Sequence, residues 1–387
     1  MKSAYNSTWV YNLAVIKEVK RWCKHAFIEK TQLAAISEAY KSPLYHPNFT
    51  ICILLFVATL LALSGVTGLF VLFFADAGEK GISTAATIYG TVSFFVLELS
   101  FTKNNHYKSG VTEALLYHAC GFIIGGFAGL NDFNPLPVLL ACLIVFTFSA
   151  IRYLDLICTL AGVISFASIL FYEFYNFGGV FQKIIPFVFI ISFTPIYFFA
   201  KKLKGQSKLK LWSNNLLIVE SLSLLLIYLG GNYLVVRELS ISMMGLEIEE
   251  GKDIPFAFIF YTTTVIIPIV YLYTGVKNKD NVLLRISLIV LAFSVFTFKY
   301  YYSLGHAEIT LTIAGAILLI VSIVLFNYLK TMRRGFSRDN LLSEKWGNIN
   351  VEAFIISQTM GGNQVSVDDK FKGEGGEFGG GGASGSF

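Results

Sequence analysis

Charged residues are scarce in this chain. Asp, Glu, Lys and Arg make up 14% of its 387 residues, where a soluble domain carries about 25%. Histidine is scarcer still, with five in all: His25, His46, His106, His118 and His306. They are scattered and only His118 lies deep in an apolar run. That excludes the several inward-facing histidines needed by membrane di-iron oxygenases or carotenoid-cleaving enzymes. Cysteine is limited to Cys23, Cys52, Cys120, Cys142 and Cys158, with no CxxC pair. Four of them lie inside apolar runs, so they read as small buried hydrophobes rather than disulfides or metal ligands. An HExxH zinc motif and a GxSxG elbow are both missing. Without a Walker A loop, ATP-driven transport by this chain alone is excluded. No motif names a substrate, a cofactor or a metal.

Long apolar runs are what the chain does have. Hydrophobic residues are 55% of it, and Phe alone occurs 36 times. A helix needs about 20 apolar residues to cross about 30 Å of hydrocarbon. Ten runs meet that need, at about 50–75, 83–102, 110–130, 135–151, 154–174, 184–200, 213–235, 254–274, 282–299 and 307–329. The fourth and sixth are short, and only the stretch around Arg152 separates the fourth from the fifth. The N-terminus is polar, so no cleavable signal peptide is expected. The expected fold is all-α: a polytopic transmembrane bundle over 50–329, preceded by a cytoplasmic amphipathic segment (1–49) and followed by a cytoplasmic tail (330–387).

Orientation follows from the excess of Lys and Arg in cytoplasmic loops. With the N-terminus inside, 25 basic residues fall on the inner side and 5 on the outer, which together are the 30 Lys and Arg of the chain. Both termini are therefore expected to be cytoplasmic. Interfacial aromatics agree, with FYEFYNF (Phe171–Phe177) and KYYY (Lys299–Tyr302) at outer ends and Trp212 at an inner one.

Within residues 8–26, Trp9, Leu13, Ile16 and Trp22 share a helical face, with Lys17, Lys20, Arg21 and Lys24 largely opposite. This pattern fits a helix on the anionic inner leaflet. It fits equally a helix packed on the loops of its own protein. Thr31 is placed to cap a second short helix ending near Tyr40, with Pro43 breaking the chain before the first span. The tail opens with the basic KTMRRGFSR (Lys330–Arg338), followed by NVEAFIISQTM, a candidate strand or docking motif. It ends in GEGGEFGGGGASGSF, with eight glycines in fifteen residues, a composition expected to stay disordered.

Ionisable residues inside spans are expensive and mark candidate sites. Glu98, Glu113, His118, Arg152, Asp155 and Glu220 all fall in the cytoplasmic half of the expected bundle. Glu220 is the deepest carboxylate, and His118 is about as deep. One reading joins them in a polar cavity open to the cytoplasm, where a Glu and a His relay protons. The other makes Glu98 and Glu113 interfacial, pairs Arg152 with Asp155, and has Glu220 bond another helix.

Two further features carry less. The outer loop Arg237–Asp253 is rich in Glu and Asp but lacks EF-hand spacing, so it reads as a solvated acidic loop. GFIIG (Gly121–Gly125) is a small-xxx-small face that lets a second helix approach, within the fold or in an oligomer.

The N-terminal third resembles a bacterial family of multi-span membrane proteins of unknown function, the domain of unknown function 2157. The residues that carry the resemblance are Trp22, Ile28, Gln32, Ile36 and Tyr40 in RWCKHAFIEKTQLAAISEAY, the following PNFTICILLFVATLL (Pro47–Leu61), and KSGVTEALLY (Lys108–Tyr117). YYSLGHAEITLTIAGAILLI near the last span is similar too. The resemblance implies short cytoplasmic helices ahead of a many-span domain, and a bacterial inner membrane. It implies no catalytic residue.

Two functions are open on this reading. The first is a non-enzymatic membrane component (a scaffold, sensor or envelope accessory) that meets a protein partner through its cytoplasmic ends. The second is a secondary transporter using the inner-half carboxylates. The second lacks an inverted repeat or matched broken helices, the nearest being Pro186 and Pro195 in the sixth span with Pro255 and Pro268 in the eighth. Nucleic acid is not an expected partner.

Overall fold

The computed structural model describes residues 3–24, 27–243, 245, 253–302 and 315. It is all-α. Twelve α-helices run in chain order as α1 (Ser7–Lys24), α2 (Lys30–Ala39), α3 (Phe49–Phe74), α4 (Gly78–Val96), α5 (Val111–Leu130), α6 (Pro135–Tyr153), α7 (Leu156–Asn176), α8 (Val180–Lys204), α9 (Ser213–Gly231), α10 (Tyr233–Ser242), α11 (Ala257–Asn278) and α12 (Asn281–Tyr302). A π-turn over Leu97–Thr102 continues α4, and a 3₁₀ turn over Ser207–Trp212 leads into α9. No strand occurs among the described residues.

Nine of these helices are long and apolar enough to cross a membrane. Their apolar surface is turned outward. In α3 no residue is buried, and Leu54, Leu61, Leu72 and Phe73 are all exposed. Water does not tolerate apolar surface on this scale, whereas hydrocarbon does. The chain is an integral, multi-pass membrane protein. Each of the first nine expected spans coincides with one of these helices. The tenth, 307–329, lies outside the described residues apart from Gly315, as does the whole of 330–387.

Sequential helices pair. The closest partners are α4 with α5, α8 with α9, α6 with α7, and α11 with α12. One apolar core joins α7, α8, α9, α11 and α12 around Phe193, Leu224, Tyr228 and Val290. A second gathers Tyr5, Leu44, Leu97, Leu116, Tyr153 and Cys158 at one end of α4–α7.

Hydrogen bonds tie alternate connections to that same end, called proximal below. The backbone of Tyr45 bonds that of Asn105 and Tyr107. Ala4 N–H donates to the Arg152 carbonyl at 2.8 Å. Trp212 Nε1 donates to the Ile151 carbonyl at 2.9 Å, and Lys201 reaches Asp280. The N-terminal segment and the connections near 105, 153, 205 and 280 thus share one end. These are the segments that the basic-residue count puts on one side.

Several local expectations are revised. Glu29, not Thr31, caps α2. Its backbone N–H donates to Gln32 Oε1 at 3.0 Å, and Thr31 sits inside the first turn with its hydroxyl on Glu29. The seventh span stops at Gly231 rather than 235. Asn232 breaks it and caps the separate α10, accepting the Val235 N–H. Pro186, Pro195 and Pro268 lie within continuous helices, which membrane-spanning helices tolerate. Gly121 and Gly125 face open space. The close approach of α5 to α4 is at Gly126, where a Cβ would meet Thr87 and the Ser83 carbonyl, and at Gly90 of α4, where it would meet Ile123 and the Ala119 carbonyl. The register is off by one residue because α5 needs its small side chains on the face that α4 covers.

α1 packs on its own protein. Val15 and Val19 are buried, Asn12 donates to the Lys41 carbonyl, and Lys210 lies over the Tyr11 ring. The buried face is therefore rotated from the expected one. Trp9, Leu13 and Ile16 are half-buried at its flank, while Trp22 stays exposed, as does Phe27 at 77%.

Candidate functional site

The polar residues form two clusters at the proximal end, and one residue stands apart. The first cluster begins with the π-turn, a rare geometry that frequently marks functional sites. Its extra residue is satisfied locally, with Thr102 Oγ1 donating to the Leu97 carbonyl at 3.1 Å. On this turn Glu98 accepts the Arg152 guanidinium on one oxygen and the Tyr153 hydroxyl on the other at 2.7 Å. Arg152 and Tyr153 end α6. Leu154 then takes a left-handed conformation (φ 57°), and Asp155 starts α7.

Asp155 does not pair with Arg152. One of its oxygens caps α7 by accepting the Cys158 N–H at 2.7 Å. The other accepts the Tyr117 hydroxyl at 2.9 Å. Asn215 of α9 donates to the Asp155 carbonyl at 3.0 Å and to Thr159 Oγ1 at 2.7 Å, so the hairpin is bolted to the second half of the bundle. The αL turn at Leu154 explains the loss of the expected pair. It sends Asp155 back along its own helix and leaves the guanidinium to Glu98.

Glu113 is a helix cap. It accepts the Gly110 N–H at 2.8 Å and the Thr112 hydroxyl at 2.9 Å, anchoring the first turn of α5. Tyr5 from the N-terminal segment is buried against these groups, its ring edge-on to Tyr107 at 4.8 Å. Burial pushes the Tyr5 hydroxyl well above its ordinary value, and the negative charges of Glu113, Glu98 and Asp155 add to it. Burial, with Glu113, raises Tyr107 to about 12. Lys108 is held below the usual lysine range by burial, against the pull of Asp155 and Glu113.

The second cluster sits between α8, α9 and the α11–α12 turn. Glu220 is fully buried, at 0% exposure, and one of its oxygens accepts from Lys204. Beside it Lys201 donates to Asp280 at 2.5 Å and to the Tyr197 hydroxyl at 3.2 Å. Asp280 caps α12, accepting the Val282 and Leu283 N–H groups. Burial works against the Asp280 charge, but the bond and charge of Lys201 prevail and hold the carboxyl below the usual aspartate range.

His118 belongs to neither cluster. Its Nε2 lies 3.0 Å from the Tyr89 hydroxyl across the α4–α5 contact, packed on Phe122. Of the six candidates, Glu98 and Arg152 are thus joined directly. Asp155 and Glu113 surround the same Tyr5, while Glu220 and His118 are placed elsewhere.

The hydroxyls of Tyr5, Tyr117 and Tyr153, and the lysines Lys201 and Lys204, are site groups to which the sequence alone does not point. Their signal was weak, since tyrosines near span ends read as interfacial and lysines as orientation markers. A distal network is a further such feature. Asn232, fully buried, donates to Tyr228 and Thr297 hydroxyls at 2.9 and 3.0 Å. Tyr233 stacks on Tyr261 at 4.1 Å, and both hydroxyls donate to Asp253. Tyr301 donates to Glu238 at 2.9 Å. The break GGNY (Gly230–Tyr233) in an otherwise apolar run was the available sign. The middle of the acidic loop, 246–252, lies outside the described residues. Among the described residues, no three His, Cys, Asp or Glu side chains are grouped to hold a metal ion. No family model, curated protein or solved structure matches this chain.

Proposed function

We propose that this protein is a non-enzymatic component of a bacterial inner membrane, a scaffold, sensor or envelope accessory that presents its N-terminal helices to a protein partner in the cytoplasm. The observation that supports it most is the seating of the N-terminal segment. Ala4 is bonded to the α6–α7 hairpin, Tyr5 is buried among carboxylates, and Val15 and Val19 are packed inward. Trp22 and Phe27 are left exposed on the same segment. Glu98, Glu113, Arg152 and Asp155 have their bonding taken up by helix ends and by one another, as structural links do. The basic-residue asymmetry supports a cytoplasmic proximal end, and the family resemblance supports a bacterial inner membrane.

The test is mass spectrometry of the complex purified gently from its native membrane. A partner in near-equal amount is expected, and it should be lost in a Trp22→Ser/Phe27→Ser variant that retains the wild-type melting temperature. A lone chain carrying a defined small molecule would favour the second reading, a secondary transporter. That reading is supported by Glu220, whose charge is buried in a span with one oxygen unpartnered.

A further inference from the structure

Among the described residues, Glu220 differs from Asp155 and Glu98 in how its two oxygens are treated. Oε2 accepts from Lys204. Oε1 has no hydrogen-bond partner and no access to solvent. An ionised carboxylate spreads its charge over both oxygens, so half of it here is buried and unbonded. Buried polar atoms are almost always satisfied, and each exception costs on the order of 1–3 kcal/mol, more when charged. Asp155 and Glu98, by contrast, have donors on both oxygens.

No hydrogen bond from a neighbouring group reaches Oε1. The charged groups that act on Glu220 are Lys204 and Lys201 of α8 and Asp280 of the α11–α12 turn. Lys201 is committed to Asp280 and Tyr197. The Tyr271 hydroxyl of α11 donates to the Leu224 carbonyl. Apolar side chains of α7 and α12 pack in the same core as α9. A metal cation at Oε1 would face the ammonium of Lys204 on the same carboxylate. A proton is the smallest ligand that answers the unbonded oxygen, and it removes the buried charge in doing so.

We propose that Glu220 is a proton-binding site, and that its protonation releases Lys204. One proton from water adds to Oε1 and the carboxylate becomes a neutral acid. Lys204 keeps its own proton and loses its counter-ion. Its side chain is 27% exposed at the proximal end, so it turns to solvent or to Asp280. The α8–α9 link is thereby weakened at low pH. This holds under either functional reading.

Infrared difference spectroscopy of the full-length protein in bilayers tests it, stepping between about pH 9 and about pH 5, the range in which buried glutamates titrate. The expected result is a pH-dependent carbonyl band of a protonated carboxylic acid that is lost in Glu220→Gln and moved in Glu220→Asp. Spectra of the three proteins that coincide in this region overturn the proposal. Should neither variant fold, an apolar carbodiimide, to which protonated carboxyls add, decides on the wild-type chain. Glu220 modified increasingly as pH falls supports the site, and Glu220 unmodified at every pH overturns it.

Discussion

Arg152 and Glu98 are 54 residues apart in the chain and joined by an ion pair that locks the π-turn after α4 to the α6–α7 hairpin. The pair is about 30% exposed on each side, between the surface and buried limits. Arg152→Ala, which strands Glu98 with only Tyr153, is expected to lower stability by about 1–3 kcal/mol. Thermal unfolding in detergent checks this. The Glu98→Gln/Arg152→Gln double variant should be milder than the sum of its parts. Additive losses would show that the two residues are not coupled.

The α4–α5 contact predicts a sharp contrast between neighbouring glycines. At Gly126 a side chain runs into the backbone of α4, and at Gly125 it meets open space. Gly126→Leu should therefore destabilise by about 1–3 kcal/mol through overpacking, with Gly125→Leu near neutral. Equal effects from both would mean that α5 is turned differently on its axis.

Asn232 is expected to be the most sensitive residue of the distal end. It caps α10 and satisfies Tyr228 and Thr297 while fully buried. Asn232→Ala removes all of these bonds and should cost about 1–3 kcal/mol, read as a fall in melting temperature. Protection of the α9 and α10 amides from hydrogen exchange should fall with it. An unchanged exchange pattern would argue against the break at this residue.

Acid should loosen the α11–α12 turn. The Asp280 carboxyl is held below its ordinary value of 3.8 because Lys201 outweighs burial. A lowered folded value means the folded state binds the proton less readily than the unfolded chain. Its contribution is thus complete above 3.8 and is lost as pH falls through the lower folded value. Melting temperatures followed from about pH 5 to about pH 3 should fall less steeply in Asp280→Asn. Identical slopes would show that the Lys201–Asp280 pair does not contribute.

The first nine spans were legible because a 20-residue apolar run has few other uses, and the break between α6 and α7 was legible from Arg152 alone. The partners of the polar residues were not. Which helix faces Glu220 depends on rotations about α8 and α9 that hydropathy does not carry. Arg152 reached Glu98 because of one left-handed residue, Leu154, that no turn motif announces. The stop at Asn232 and the shift of the packing face from Gly125 to Gly126 are similar cases. Each is a displacement of one to a few residues inside a correctly placed span.

The proposed role rests on the proximal end, with α1 and α2, facing the cytoplasm. Single cysteines in a cysteine-free chain, at exposed Lys41 beside the N-terminal helices and at Asn176 at the opposite end of α7, report this directly. With a membrane-impermeant maleimide on intact cells, Asn176→Cys should label and Lys41→Cys should label only after lysis. Labelling of Lys41→Cys in intact cells, with Asn176→Cys protected, would contradict the orientation and the cytoplasmic role built on it.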